Sequence, residues 1–324
     1  MSSIDQIKAP IQSELKAFEK FFNDSVKSDV MLLNLITKYV IKRKGKQMRP
    51  IFVFLSANLF DKSNQATHHG AALIELMHTA TLIHDDVVDN SNQRRGFFSV
   101  NALWKNKIAV LLGDFLLSKG LLLAVNNGHY DLLQIVSKAV EQMSEGELLQ
   151  IEQTRKLNIT EAVYYEIIRK KTAVLLASCA AVGAKSVGAE PSKVEQMWQM
   201  GQDLGMAFQI KDDLFDYDAH NNTGKPSGND IQEKKMTLPL IYALSKADSS
   251  KAKSIKKIIN QKVKTQVQVQ EVVDFVKIQG GMQYASERMN EFKTKAIDTL
   301  QTFPESEYKT ALMALIQYTI ERNK

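Results

Sequence analysis

The chain has 324 residues with only 15 glycines and 6 prolines, roughly half the ~12% share of these backbone breakers in average composition, so helix is favoured throughout. Hydrophobic residues at 44% against 24% charged exclude a disordered chain and permit a substantial core. The single cysteine, Cys179, excludes an intrachain disulfide and thiolate clusters for zinc or iron–sulfur and fits a reducing, cytoplasmic compartment, while a net charge of +6 spread along the chain makes no demand for nucleic acid.

The first 25 residues mix Asp5, Glu14, Glu19 and Asp24 with lysines and lack the apolar core of a secretory signal. Breaks fall at 42–50, 61–65, 90–98, 126–130, 189–192, 219–235 and 301–307, where Gly, Pro, Asn and Ser cluster. They divide the chain into roughly nine to twelve helices. Between the second and third breaks, Leu73, Leu76, Met77, Ala80, Ile83 and Val87 recur at helical spacing. The apolar run at 109–125 is broken by Asp114 and Lys119, and that at 173–184 falls short of the ~20 residues of a membrane span. No stretch alternates with period two long enough for a sheet. The expectation is a soluble, all-α protein, with residues 1–324 forming one large domain.

One short pattern occurs twice, as Asp85-Asp86-Val87-Val88-Asp89 and Asp212-Asp213-Leu214-Phe215-Asp216. The first and last carboxylates of each copy are four residues apart and share a helix face. Each triplet follows an apolar helical segment, so its charges need a cationic partner. Oxygen ligands without His or Cys select Mg²⁺ or Ca²⁺, and Mg²⁺ takes one or two carboxylates and leaves other positions to water and phosphates. A calcium loop starting at Asp216 fails, because its sixth position is Asn221 rather than Gly and its twelfth is Ser227 rather than Glu. Basic loops accompany the triplets: Lys42-Arg43-Lys44-Gly45-Lys46-Gln47-Met48-Arg49-Pro50, Arg94-Arg95-Gly96, and Lys225 and Lys235. Such loops suit diphosphates. Gly183-Ala184-Lys185-Ser186 lacks the Gly before Lys and the preceding strand of a phosphate loop.

At these residues the sequence resembles the trans-isoprenyl diphosphate synthases, or polyprenyl synthetases, from about residue 42 to 239. The shared series is the Gly-Lys-x-x-Arg-Pro loop, both Asp-rich motifs, Arg-Arg-Gly, Lys171-Thr172, Phe208-Gln209, Thr223-Gly224-Lys225 and Lys235-x-Thr237-Leu238-Pro239. The resemblance implies a helical bundle around a central apolar cavity, a homodimer, and Mg²⁺ as cofactor. It implies that Lys46, Arg49, His78 and Arg95 bind the diphosphate of isopentenyl diphosphate. Asp85, Asp89 and Asp212 become the metal ligands, with Asp86, Asp213 and Asp216 assisting. Arg94, Lys171, Lys225 and Lys235 contact the allylic prenyl diphosphate, and Thr172 and Gln209 turn their oxygens toward the allylic cation. Helical geometry agrees in part: His78 lies about 20° from Asp85 on an ideal helix, and Gln209 is one turn before Asp212.

The implied reaction is ionisation of the allylic diphosphate, attack by the isopentenyl double bond and loss of a proton. Family members that stop at farnesyl length carry bulky aromatics four or five residues before the first Asp, where this chain has Thr81 and Ala80. A product longer than farnesyl follows, a long polyprenyl chain first and geranylgeranyl as the nearer option, with Met77 and Ile74 as a deeper floor. Glu233-Lys234-Lys235 departs from the family, where Gly commonly takes the middle position, so Lys234 competes with Lys235 for the diphosphate contact. A class I terpene cyclase would replace the second Asp motif, and a non-catalytic subunit would lose such motifs; both are complete here. The lysine-rich stretch 251–264 reads as the polar face of a late helix, with at most transient attraction to an anionic membrane for product release.

Overall fold

The computed structural model describes residues 3–42, 47–94, 96–156, 159–217 and 228–321. Its helices are α1 (Ser3–Lys8), α2 (Gln12–Ser25), α3 (Met31–Lys42), α4 (Met48–Asn58), α5 (Gln65–Val88), α6 (Val100–Asn126), α7 (Tyr130–Lys156) and α8 (Glu161–Ile168). The series continues with α9 (Val174–Ser186), α10 (Pro191–Phe215), α11 (Asn229–Gln232), α12 (Leu238–Lys246), α13 (Ser249–Asn260), α14 (Gln266–Ile278), α15 (Gly281–Gln301) and α16 (Glu307–Glu321). The only strands among the described residues are a two-residue hairpin, Gln93–Arg94 with Phe97–Phe98. The fold is all-α, as the scarcity of Gly and Pro indicates.

Sixteen helical segments among the described residues exceed the expected nine to twelve for local reasons. A 3₁₀ turn at Ala9–Ile11, with Pro10 in its first turn, separates α1 from α2. A π turn, Arg169–Ala173, separates α8 from α9. The four-residue α11 lies inside a segment that reads as loop. Several helices start where side chains accept the orphan backbone N–H groups of the first turn. Asn64 and Thr67 form a capping box on α5, Ser99 and Thr160 cap α6 and α8, and Asp248 and Thr265 cap α13 and α14.

The chain divides into two compact units: Met1–Val140 with Ser178–Trp198 and Glu305–Leu312, and Glu141–Ala177 with Gln199–Pro304 and Met313–Lys324. In the first, α4 is buried all round from Pro50 to Asn58, as a central core helix must be. Phe18 of α2 packs on it, edge to face with Phe54 at 5.7 Å, and Phe22 lies against Phe18 on the same helix. The last turn of α9 is Gly183-Ala184-Lys185-Ser186, and a Cβ on Gly183 would meet the Val53 carbonyl oxygen. Glycine there allows close helix packing, and Lys185 pairs with Asp131, so these residues build core and surface. Cys179, on the same helix, is fully buried.

Helix α6 is the one described helix long and apolar enough, by length and composition, to cross a membrane, although only 33% of its most apolar window is buried. Its backbone is interrupted at Lys105, which has φ 72° and ψ 161°. One side, through Leu112, Gly113, Leu116 and Gly120, is buried; Leu103, Val110, Leu111, Leu121, Leu122 and Val125 are exposed.

In the second unit, Gly201 and Gly205 let the backbone of α10 approach the Ala173–Ala177 backbone. A Cβ on Gly205 would lie 2.4 Å from the Ala173 Cα, a contact no side chain tolerates. Gly146 of α7 likewise abuts the backbone N–H of Lys171. The π turn is thus clasped by glycines on two helices, and it carries Lys171 and Thr172.

Candidate active site

Both acid triplets end a long helix, Asp85–Asp89 on α5 and Asp212–Asp216 on α10. The carboxyl end of a helix carries the negative pole of its dipole, so three aspartates there raise the demand for a cation. In each triplet the middle residue is buried, Asp86 at 4% exposure and Asp213 at 5%, while Asp85 and Asp89 are exposed and Asp212 and Asp216 half-buried. A helix turns about 100° per residue, which separates the middle carboxylate from the pair four residues apart.

In the first unit, Arg94 Nε donates to Asp86 Oδ1 at 2.8 Å. Burial pushes the Asp86 carboxyl up, and the Arg94 guanidinium opposes that shift. The hairpin that carries Arg94 thereby folds back on its own motif. Arg49 Nε donates to Glu75 at 2.5 Å; Glu75 is 5% exposed and lies three residues before half-buried His78 on α5. A lone acid inside the apolar run Leu73-Ile74-Glu75-Leu76-Met77 was the available signal for this anchor, and sequence reasoning missed it. Of the residues expected near diphosphates, Lys46, Arg95 and Lys225 lie outside the described residues, as do Thr223 and Gly224.

The second unit contains a cavity of about 370 Å³, lined by Lys171, Thr172, Gln209, Asp212, Asp213, Asp216 and Lys235 and walled by Ile159, Ile167, Ile168, Phe215 and Met236. The structure therefore gathers seven sequence-predicted residues in one place. Thr172 Oγ1 donates to Gln209 Oε1 at 2.8 Å, Gln209 Nε2 donates to Asp213 Oδ1 at 2.9 Å, and Tyr164 Oη donates to Asp213 Oδ2 at 2.7 Å. Both Asp213 oxygens thus receive donors from the chain. Burial, then the charge of Asp230, nevertheless pushes Asp213 up to about 7. Asp216 accepts the backbone N–H groups of Asn229 and Asp230 at 2.9 and 3.1 Å, joining the end of α10 to the start of α11; burial and Asp230 raise it to about 6.

Lys171 Nζ lies 2.5 Å from Glu147 and 3.3 Å from Gln150. Lys235 Nζ lies 2.6 Å from Glu233 and 3.4 Å from Asp230; burial disfavours its charge, but Asp230 and Glu233 outweigh burial and hold its pKa above the usual lysine value. The neighbouring Lys234 has φ 62°, a left-handed conformation that glycine adopts without the Cβ penalty. Its amine donates to the Asn260 carbonyl at 2.7 Å. The turn thus sends Lys235 into the cavity and Lys234 away from it. Tyr164 and Asp230, which complete the polar wall, were absent from the sequence-based set; neither stands in a repeated or charged cluster.

Among the described residues no three His, Cys, Asp or Glu side chains form a cation site by themselves. Mg²⁺ does not require such a cage, since it keeps several waters and shares phosphate oxygens. The all-oxygen donor set and the upward shift of Asp213 and Asp216 both fit a cation held with a phosphorylated ligand. For a carboxyl whose folded value lies above its unfolded 3.8, the proton stabilises the fold; that stabilisation is lost as pH rises toward about 7. Added Mg²⁺ should therefore raise the melting temperature more at pH 8 than at pH 5. Equal shifts in differential scanning calorimetry would disconnect the ion from these acids.

A family model described as "Polyprenyl synthetase" matches residues 30–276. An all-trans-nonaprenyl-diphosphate synthase (geranyl-diphosphate specific) of Rhodobacter capsulatus is 36% identical over 318 residues, covering 98% of this chain and 97% of that protein. A crystal structure of a polyprenyl synthase from Caulobacter crescentus CB15, complexed with calcium and isoprenyl diphosphate, superposes with TM-score 0.89 at 31% identity, covering 99% of this chain and 98% of that one. A geranylgeranyl pyrophosphate synthase from Bacteroides thetaiotaomicron gives TM-score 0.84 at 37% identity, covering 99% and 100%.

Proposed function

This chain belongs to the polyprenyl synthetase family, and we propose that it condenses isopentenyl diphosphate with an allylic prenyl diphosphate to give an all-trans product longer than farnesyl. The observation that supports this most is the cavity in the second unit, where Asp212, Lys171 and Lys235 meet the Thr172–Gln209 pair beside an apolar wall. We assign Asp85 and Asp89 in the first unit as Mg²⁺ ligands, and Asp212 in the second unit likewise; Mg²⁺ bound at these acids would neutralise a diphosphate and make it a better leaving group. Lys171 and Lys235 hold the allylic diphosphate as point charges and are themselves oriented by Glu147 and by Asp230 with Glu233. As the C–O bond ionises, the oxygens of Thr172 and Gln209 present negative dipole ends to the allylic cation. Asp213, gripped by Gln209 and Tyr164, fixes that pair in place. Ile159, Ile167, Ile168 and Met236 keep water from quenching the cation. The double bond of isopentenyl diphosphate attacks, and the proton lost from the adduct passes to the departing diphosphate.

Purified protein incubated with Mg²⁺, isopentenyl diphosphate and geranyl, farnesyl or geranylgeranyl diphosphate should yield products extended in five-carbon steps, resolved by chromatography. Chelation of the metal should abolish them. No extension of any primer would overturn the assignment.

The exposed leucines and valines of α6 fit a second copy of this chain, because they lie opposite the buried side of the helix and form an apolar surface of the kind that marks interfaces. Sedimentation should report a dimer, and Leu111→Glu with Leu122→Glu should convert it to monomer. A wild-type monomer at micromolar concentration would exclude this interface.

A further inference from the structure

Residues 246–264 hold seven lysines and one acid, Asp248, an excess equal to the net charge of +6 of the whole chain. The structure separates these lysines by what they do. Lys264 is buried, and its amine donates to the carbonyls of Gln232 and Gln261. Lys251 pairs with Glu271 at 3.1 Å, and Lys246 sits over the Tyr242 ring. Lys253, Lys256, Lys257 and Lys262 have no ion-pair or hydrogen-bond partner among the described residues, and all are exposed or half-exposed. On α13 the buried side is Ile255, Ile258 and Ile259, which leaves Lys253 and Lys257 on the opposite side.

The turn after α13 adds apolar surface at the same end of the helix. Val263 is 81% exposed and Val267, in the first turn of α14, 79%. Isolated exposed valines are ordinary, but Val263 directly after the unpaired Lys262, with Val267 four residues on and the free lysines of α13 just before, makes a segment that is cationic and apolar at once. The stretch contains no Arg and no aromatic residue, so it lacks both the fork that reads base edges and the rings on which bases stack. Lysines as point charges beside short aliphatic side chains match an anionic lipid headgroup layer over acyl chains.

We propose that the α13–α14 turn, with Lys253, Lys256, Lys257, Lys262, Val263 and Val267, is a docking surface for an anionic lipid bilayer. The turn is tied directly to the rim of the cavity. Lys264 and Gln232 exchange hydrogen bonds through their carbonyls at 3.2 and 3.1 Å, and Lys234 reaches the Asn260 carbonyl at 2.7 Å. The segment from Gln232 to Lys235 thus holds the turn on one side and supplies a cavity lysine on the other. Docking would bring that rim to a membrane, where a long apolar product can leave; this use rests on the prenyltransferase reading, whereas docking itself does not.

The full chain, without substrate, should co-sediment with vesicles of phosphatidylcholine containing phosphatidylglycerol and not with phosphatidylcholine alone. Binding should fall steeply between 0.1 and 1 M salt, as screening shortens from ~10 to ~3 Å. Each lysine at such a surface is worth roughly fivefold, so Lys253→Glu/Lys256→Glu/Lys257→Glu should weaken binding at least ~100-fold. Its circular-dichroism melt and its activity on short primers in solution should be unchanged. Val263→Ser/Val267→Ser should weaken the salt-resistant part. Equal binding to neutral vesicles, no binding at low salt, or full retention by the triple variant would overturn the proposal. So would preference for a DNA duplex over the anionic vesicles. Loss of activity with vesicle binding intact would instead strike the prenyltransferase reading.

Discussion

Asp212→Asn is expected to lower kcat roughly 10³-fold, the scale at which loss of a fixed electrostatic or metal contact acts in a water-poor site. Asn keeps the shape and loses the charge, so folding should be nearly unaffected. Asp216→Asn is the informative contrast. Both Asp216 oxygens already accept backbone N–H groups, from Asn229 and Asp230, and its substitution should cost about 1–2 kcal/mol of stability while leaving kcat within about tenfold. Kinetics at saturating and limiting Mg²⁺, together with thermal melts, separate the two residues. Equal losses of kcat in both variants would mean that Asp216 also holds the ion and that its backbone bonds open in the working enzyme.

Ala80→Phe is expected to shift the product distribution toward shorter chains by several five-carbon units. Ala80 is 1% exposed on α5, five residues before Asp85, and a benzyl group there must occupy volume that the present packing or the growing chain uses. The strain should be about 1–3 kcal/mol, tolerable for a chain of this size. Thr81→Phe provides an independent probe, since Thr81 is half-buried and lies nearer the Asp85 side of the helix. Its hydroxyl donates only to the His78 carbonyl within the same turn, so little besides shape is lost. If chromatography gives wild-type product lengths for both variants, the chain does not grow past this stretch of α5.

Much of the site was legible because its chemistry is written in local spacing. The Asp triplets, Lys171-Thr172 and Phe208-Gln209 occupy single helical turns, and the helix end on which each triplet sits follows from the apolar run before it. What escaped was the partner each group meets through tertiary structure. Tyr164 and Asp213 are 49 residues apart, Arg49 and Glu75 are 26 apart, and no periodicity links them. The π turn at Arg169–Ala173 was also hidden, because nothing in the sequence marks one extra residue in a helical turn; it becomes visible only where Gly146 and Gly205 press against it. Lys234 shows the reverse case. The sequence alone leaves it as a rival to Lys235; with φ 62° at Lys234, Lys235 lines the cavity while the Lys234 amine lies on the Asn260 carbonyl. A Gly at this position should stabilise the turn by about 1 kcal/mol.

The isolated thiol of Cys179 has a practical consequence. Burial pushes it up to about 12, so at neutral pH almost none is thiolate, and the thiolate is the form that alkylating reagents attack. Maleimides should leave the folded protein unmodified and fully active, which makes the natural chain equivalent to a cysteine-free background. A fluorophore placed through Ser254→Cys on α13 would then report from one known position without any prior engineering of the core.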